Sequence, residues 1–498
     1  LTGSAGADKI ESGAGNDEIT VAATGNANTD TMDGGDGTDV LKLSAGAHTF
    51  GDNDKLANIE KIETHADGSE VVVSAQKEAL EITGGAGVDK ITGGEGADTI
   101  NTAAGNDEIT VAAAGKANTD TMDGGDGTDV LKLSAGAHTF GDNDKLANIE
   151  KIETHADGSE VVVSAQKEAL EITGGAGVDK ITGGEGADTI NTAAGNDEIT
   201  VAAAGKANTD TMDGGDGTDV LKLSAGAHTF GDNDKLANIE KIETHADGSE
   251  VVVSAQKEAL EITGGAGVDK ITGGEGADTI KTAAGNDEIT VAAAGKANTD
   301  TMDGGDGTDV LKLSAGAHTF GDNDKLANIE KIETHADGSE VVVSAQKEAL
   351  EITGGAGVDK ITGGEGADTI KTAAGNDEIT VAATGNANTD TMDGGDGTDV
   401  LKLSAGAHTF GDNDKLANIE KIETHADGSE VVVSAQKEAL EITGGAGVDK
   451  ITGGEGADTI KTAGGNDEIT VAAAGKANTD TMDGGDGTDV LKLSAGAH

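Results

Sequence analysis

An all-β chain wound as a solenoid of 90-residue repeats, with about eight short strands in each, is the fold this sequence predicts. Three observations predict it. Gly15-Asn16-Asp17-Glu18-Ile19-Thr20 recurs from Gly105, Gly195, Gly285, Gly375 and Gly465, a strict period of 90. Inside each copy, large apolar residues recur every nine residues between Gly-rich segments, as in Ile82, Ile91, Ile100 and Ile109. The chain also holds 80 Gly, five Phe and no Trp, Tyr, Pro or Cys, which suits many thin coils better than a few thick cores. Repetition at this length is the mark of a stacked array.

The repeats are 1–90, 91–180, 181–270, 271–360 and 361–450, with a partial sixth at 451–498. No Pro- or Ser-rich linker separates them, so we expect one continuous solenoid. The text stops mid-repeat at His498, so we expect a window of a longer protein. The copies differ at few places: Glu11 becomes Asn101 and Asn191, then Lys281, Lys371 and Lys461. We read this exchange as neutral surface drift.

The first half of each repeat has a finer text. Gly84-Gly85-Ala86-Gly87-Val88-Asp89-Lys90-Ile91-Thr92 is followed by Gly93-Gly94-Glu95-Gly96-Ala97-Asp98-Thr99-Ile100-Asn101. A degenerate copy runs from Thr102 to Thr110. A weak one runs from Gly115 to Asp123, and a full one closes the block at Gly124–Lys132. This is G-G-x-G-x-D-x-U-x, with U a large apolar residue. The sequence here resembles the RTX family of calcium-binding nonapeptide repeats, which fold as a parallel β-roll. The resemblance covers about half of each repeat, and Leu133 to Ile172 departs from it.

The departing half is read by its apolar anchors. Taken in order they are Leu131, Ile152, Val163, Ile172, Ile181, Ile190, Ile199, Met212 and Leu221. The eight steps between them predict eight short strands, hence four coils of two strands. An even count restarts every copy on the same face. At about 4.8 Å per stacked strand one repeat then rises about 19 Å. The long step from Leu131 to Ile152 is read as a surface excursion, Ala135 to Asn148. Asp129–Ser134, Ile149–Thr154, Glu160–Ala165 and Leu170–Thr173 alternate or carry β-branched residues, as strands do.

A hard cation such as Ca²⁺ takes six to eight oxygens at about 2.3–2.6 Å. One Asp per nonapeptide supplies a carboxylate, and Gly turns bring carbonyls close. The resemblance implies that Asp89, Asp98, Asp107, Asp120 and Asp129 ligate calcium, with Gly85, Gly87, Gly94 and Gly96 shaping the turns. It also places Asp89 and Asp107 on one edge and Asp98 on the other. The equivalents are Asp8, Asp17 and Asp39, then Asp179, Asp188, Asp197 and Asp219. They continue as Asp269, Asp278, Asp287 and Asp309, then Asp359, Asp368, Asp377 and Asp399, and finally Asp449, Asp458, Asp467 and Asp489.

Charge supports a cation partner. There are 93 acids against 34 basic residues, all Lys, for a net charge of -59. Stacked carboxylates repel without cations, so folding is expected to be linked to calcium. The same charge, without Arg or stacking aromatics, argues against nucleic acid. No run of about 18 apolar residues offers a membrane span. The absence of Cys excludes disulfides and thiol chemistry. Ser134, His138 and Asp142 make no credible triad, because no nucleophile elbow is present; we expect no enzyme. Asp142-Asn143-Asp144 reads as a polar turn, and His138 and His155 as surface or turn histidines. Thr92 and Thr110 do not continue into an ordered threonine array.

Calcium sites of about 10⁻⁴–10⁻³ M fill outside cells, so an extracellular protein is expected. The resemblance implies export through a one-step channel. The expected function is a secreted calcium-rigidified structural protein: a filament, matrix fibre or surface-layer element. It would associate with itself, head to tail or laterally through calcium, or with cell-surface or matrix polymers. The alternative is the passive extender of a large adhesin.

Overall fold

The computed structural model describes residues 1–4, 6–21, 30–51, 55–111, 119–141, 145–201, 209–231, 235–291, 299–321, 325–381, 389–411, 415–471 and 479–494. The polar turn expected at 142–144 lies outside them. The chain forms two compact units, Leu1–His245 and Ala246–His498. Each is a parallel β-solenoid whose described regular structure is almost entirely strand.

The strands are short because each nonapeptide has room for only three or four residues between turns. Lys90–Thr92, Thr99–Asn101, Glu108–Val111, Thr121–Asp123 and Val130–Leu133 follow one another in the first unit. They alternate between two sheets. Lys90–Thr92, Glu108–Val111 and Val130–Leu133 stack in parallel on one. Thr99–Asn101 and Thr121–Asp123 stack on the other. The middle residue of each strand points inward, so Ile91, Ile109 and Leu131 form one apolar column and Ile100 and Met122 the facing one. All five are essentially buried.

The second half of the repeat coils in the same stack. Lys151–Glu153 pairs in register with Val130–Leu133, so Leu131 meets Ile152 on the same sheet. The 21 residues between them therefore make a complete turn. Two short strands lie on the far face of that turn. Leu146–Ala147 ends the sheet of Thr121–Asp123. Gly136–Thr139 begins a new sheet, continued by Ser159–Val162 and Lys180–Thr182.

This corrects the expected strand count. Among the described residues the repeat 91–180 carries ten short strands, and the coils advance by nine half-turns, not eight. Ile91 lies in the ten-stranded sheet running from Gly46–Thr49 to Leu236–Ala237, whereas Ile181, its equivalent one copy later, lies on the opposite face. Four and a half coils at about 4.8 Å raise one repeat by about 22 Å. The reading failed because the missing half-turn places a histidine in its inward slot. His138 is fully buried, not at the surface, and its Nε2 lies 2.9 Å from the Ser134 carbonyl oxygen. Phe140, also fully buried, fills the space beside this changeover. Val163 is buried, but the residue in register with Ile181 is Val161.

Candidate calcium centre

The loops before the strands stack into two columns, one along each edge of the solenoid, and the sequence fits them by removing side chains. Gly125 has φ 83°, in the left-handed region, and a Cβ there would overlap the Ala103 carbonyl of the preceding coil. The predicted turn glycines behave alike. A Cβ on Gly85, Gly87, Gly94 or Gly96 would strike the carbonyl of His65, Asp67, Gln76 or Glu78, each one coil away. Only Gly permits that approach without displacing the neighbouring backbone. Carbonyl oxygens of adjacent loops are thereby brought close together.

Each motif Asp ends its loop and turns its carboxylate along the column. The Asp89 N–H donates to Asp107 Oδ1 at 2.8 Å, and the Asp107 N–H to Asp129 Oδ1 at 2.7 Å. On the other edge the Asp98 N–H donates to Asp120 Oδ1 at 2.9 Å. Asp89 and Asp107 thus share a ladder, and Asp98 stands in the other. Asp179, Asp197 and Asp219 repeat the first ladder, and Asp188 and Asp210 the second. In the second unit the same bonds join Asp269, Asp287 and Asp309. They also join Asp359, Asp377 and Asp399, and Asp449, Asp467 and Asp489. Asp278, Asp368 and Asp458 stand in the alternate ladder. Asp8 and Asp17 bond to Asp30 and Asp39 in the same way.

The second carboxylate oxygen separates two kinds of site. In the two tandem motifs of 84–101 it closes its own loop: the Gly85 N–H donates to Asp89 Oδ2 at 2.9 Å, and the Gly94 N–H to Asp98 Oδ2 at 2.8 Å. At Asp107 and Asp129 Oδ2 is buried and has no hydrogen-bond partner. The same oxygen is orphaned at Asp17, Asp39, Asp197, Asp219, Asp287, Asp309, Asp377, Asp399 and Asp467. A buried carboxylate oxygen without a partner carries a desolvation penalty that a cation would remove.

Electrostatics point the same way. Burial pushes the carboxyls of Asp129, Asp219, Asp309 and Asp399 up to about 6, and like charges on the neighbouring Asp and Glu residues add to the rise. Burial also pushes Asp120, Asp210, Asp300 and Asp390 up to about 6. At Asp120, Asp210, Asp300 and Asp390 the charges of Lys145, Lys235, Lys325 and Lys415 pull the other way without cancelling the rise.

One ladder member escaped the sequence reading. The Asp129 N–H donates to Glu150 Oε2 at 2.8 Å, so Glu150 continues the column where no nonapeptide exists. A signal was present: Glu150-Lys151-Ile152 repeats Asp89-Lys90-Ile91. Beyond Glu150 the loops part, leaving a cavity of about 440 Å³ lined by Leu146, Ile149, Glu150, Gln166, Glu168 and Leu170 among others.

The donor set suits a hard cation. It consists of carboxylate oxygens beside turn carbonyls, with no sulfur and no imidazole on the ladders. Among the described residues no three acidic or histidine side chains converge on one point. A bound calcium would therefore take one or two carboxylates and draw its remaining oxygens from the glycine turns.

A search of curated proteins gives no match. The family model described as RTX calcium-binding nonapeptide repeat (4 copies) matches twice in every period. Its matches are 1–23, 24–47, 81–109, 114–137, 171–199, 204–227, 261–290, 294–317, 351–380, 383–407, 441–470 and 474–497, more than half of the chain. Repeats of this kind are calcium-binding structural units, and the motif, the ladders and the parallel coils agree with the match. The chain belongs to the RTX calcium-binding nonapeptide-repeat family.

Proposed function

We propose that this chain is a secreted, calcium-dependent structural protein, working as an extracellular filament, matrix fibre or surface-layer element. The observation that carries the reading is the sameness of the copies. Each repeats one set of strand registers, one pair of carboxylate ladders and one set of orphaned oxygens. A catalytic site needs one irregular place, whereas a lattice needs one contact made many times. Calcium holds the ladders together outside the cell, and the empty ladders repel in calcium-poor cytosol. No helix among the described residues is long and apolar enough to cross a membrane.

Circular dichroism and electron microscopy of the purified chain, titrated with calcium and then chelator, test this. The expected result is a coil-to-β conversion with filaments or layers in calcium, reversed by chelator. Folded single particles at every calcium concentration would favour the adhesin extender instead. A chain fully folded in chelator would overturn the calcium-linked account.

A further inference from the structure

The excess acid is not spread evenly. The motif aspartates sit on the edges, whereas the outward positions of the strands carry both signs of charge. On the sheet that begins at Gly136–Thr139, the outward charged residues of the first unit are Glu160, Lys180, Glu198, Lys222, Lys241 and Glu243, as many lysines as glutamates. Between them stand short Thr and Val side chains, Val162, Thr182 and Thr200. This stretch of the face is balanced in charge on a protein of net charge -59.

Part of this charge is used internally. Lys222 lies 2.8 Å from Glu198, and Lys132, its equivalent one copy earlier, 2.9 Å from Glu108. Glu160 and Lys180 are register partners, yet neither is joined in an ion pair within the described chain. They stand in the column Glu160, Lys180, Glu198, in which sign alternates coil by coil. A second copy facing this column and displaced by one coil, about 4.8 Å, sets each lysine against a glutamate.

The half-turn offset doubles the effect. Glu70, Lys90 and Glu108 form the same column on the opposite face of the first unit. The second unit carries Glu250, Lys270 and Glu288 on one sheet and Glu340, Lys360 and Glu378 on another. With four full coils per repeat, one face alone would display this column. With four and a half, both faces do.

We infer that the outer strand faces are docking surfaces for further copies of this chain, paired through the Glu160–Lys180 columns, and that chains laminate on both faces into layers. This rests on the self-associating structural reading above and names the contact it uses. Calcium on the edges sets the fold, and the faces set the lateral contact.

The test uses the full chain in calcium, with two charge-reversed variants. One carries Lys→Glu at 90, 180, 270, 360 and 450; the other carries Glu→Lys at 70, 160, 250, 340 and 430. Circular dichroism checks that each folds, and light scattering with electron microscopy reads lamination. Wild type should form layers. Each folded variant alone should show at least a tenfold loss of scattering, and a one-to-one mixture should recover it. Should the Lys→Glu set fail to fold, the Glu→Lys set, which lowers the magnitude of the net charge, decides alone. Layers from a folded variant equal to those of wild type would overturn the inference while leaving filament formation through the edges intact. Wild type that folds but never associates would sink the structural reading itself.

Discussion

At the scale of single residues, the carboxylate ladder trades stability for dependence on a cation. Asp129 donates its N–H to Glu150, accepts from Asp107, and leaves Oδ2 buried without a partner. Changing Asp129 and its equivalents Asp219, Asp309 and Asp399 to Asn removes the repulsion and one ligand together. Two opposite effects are expected: more β-structure in chelator, and a calcium midpoint raised at least tenfold, both read by circular dichroism. The pH response follows from the same groups. Their folded pKa of about 6 lies above the ordinary 3.8. The metal-free fold is therefore favoured below about pH 4 and loses that support as pH rises towards 6. Calcium binding at pH 6 should release protons, and apparent affinity should fall as pH drops through 6; calorimetry in buffers of different ionisation enthalpy measures both. Burial lowers the pKa of His138 and its four equivalents, so their protonation opposes the fold as pH falls below 6.5. Backbone strain gives another handle. Ala103 occupies a left-handed conformation, φ 66°, at a motif Gly position. Ala103→Gly should stabilise the calcium-bound fold by about 1 kcal/mol. Gly125→Ala, which drives a Cβ into the Ala103 carbonyl, should cost more than about 3 kcal/mol, as read by thermal unfolding.

At the scale of strands and turns, what was legible in the sequence depended on whether a coil used the common currency of large aliphatic residues. Ile91, Ile100, Ile109, Met122 and Leu131 announce their strands, and the structure pairs them as the nine-residue period requires. The coil from Leu131 to Ile152 was misread because its first far-face strand, Gly136–Thr139, holds no large aliphatic residue, and its second, Leu146–Ala147, fell inside the segment read as a surface excursion. A histidine is tolerated inside because Ser134 offers its ring a carbonyl, and periodicity of apolar residues does not register that bond. The motif aspartates were readable from spacing. The orphaned second oxygen was not, because it depends on whether a Gly N–H four residues back folds onto the carboxylate. The corrected turn has a direct test in a chain without cysteine. Lys132 and Glu153 are register partners on one sheet, with charged ends 3.8 Å apart. The double variant Lys132→Cys, Glu153→Cys should form an intramolecular disulfide on oxidation in calcium and fail to do so in chelator. On the eight-strand reading the two residues sit on opposite faces, and no crosslink forms in either condition.

At the scale of the whole molecule, stability has to come from stacking, since a single coil encloses almost nothing. The same position illustrates it in consecutive copies: Leu401, with a coil on either side, is fully buried, whereas Leu491, with no described coil beyond it, is 53% exposed. Each coil thus supplies its neighbour with a wall, and each ladder bond joins a coil to the next. Energies of this kind add as nearest-neighbour terms along one dimension. Calcium then acts on interfaces between coils and not on isolated loops, because the orphaned oxygens of Asp107 and Asp129 belong to successive coils of one ladder. The consequence is a dependence on copy number. One 90-residue copy has few complete interfaces relative to its ends and should fold only at high calcium. Arrays of two, three and five copies should fold at progressively lower calcium and with steeper transitions, the change levelling off once interior coils outnumber the ends. Calcium titrations of such a series by circular dichroism measure midpoint and slope together. Transitions identical for one copy and five would mean that each copy folds as an independent bead, and that the ladders do not couple the coils.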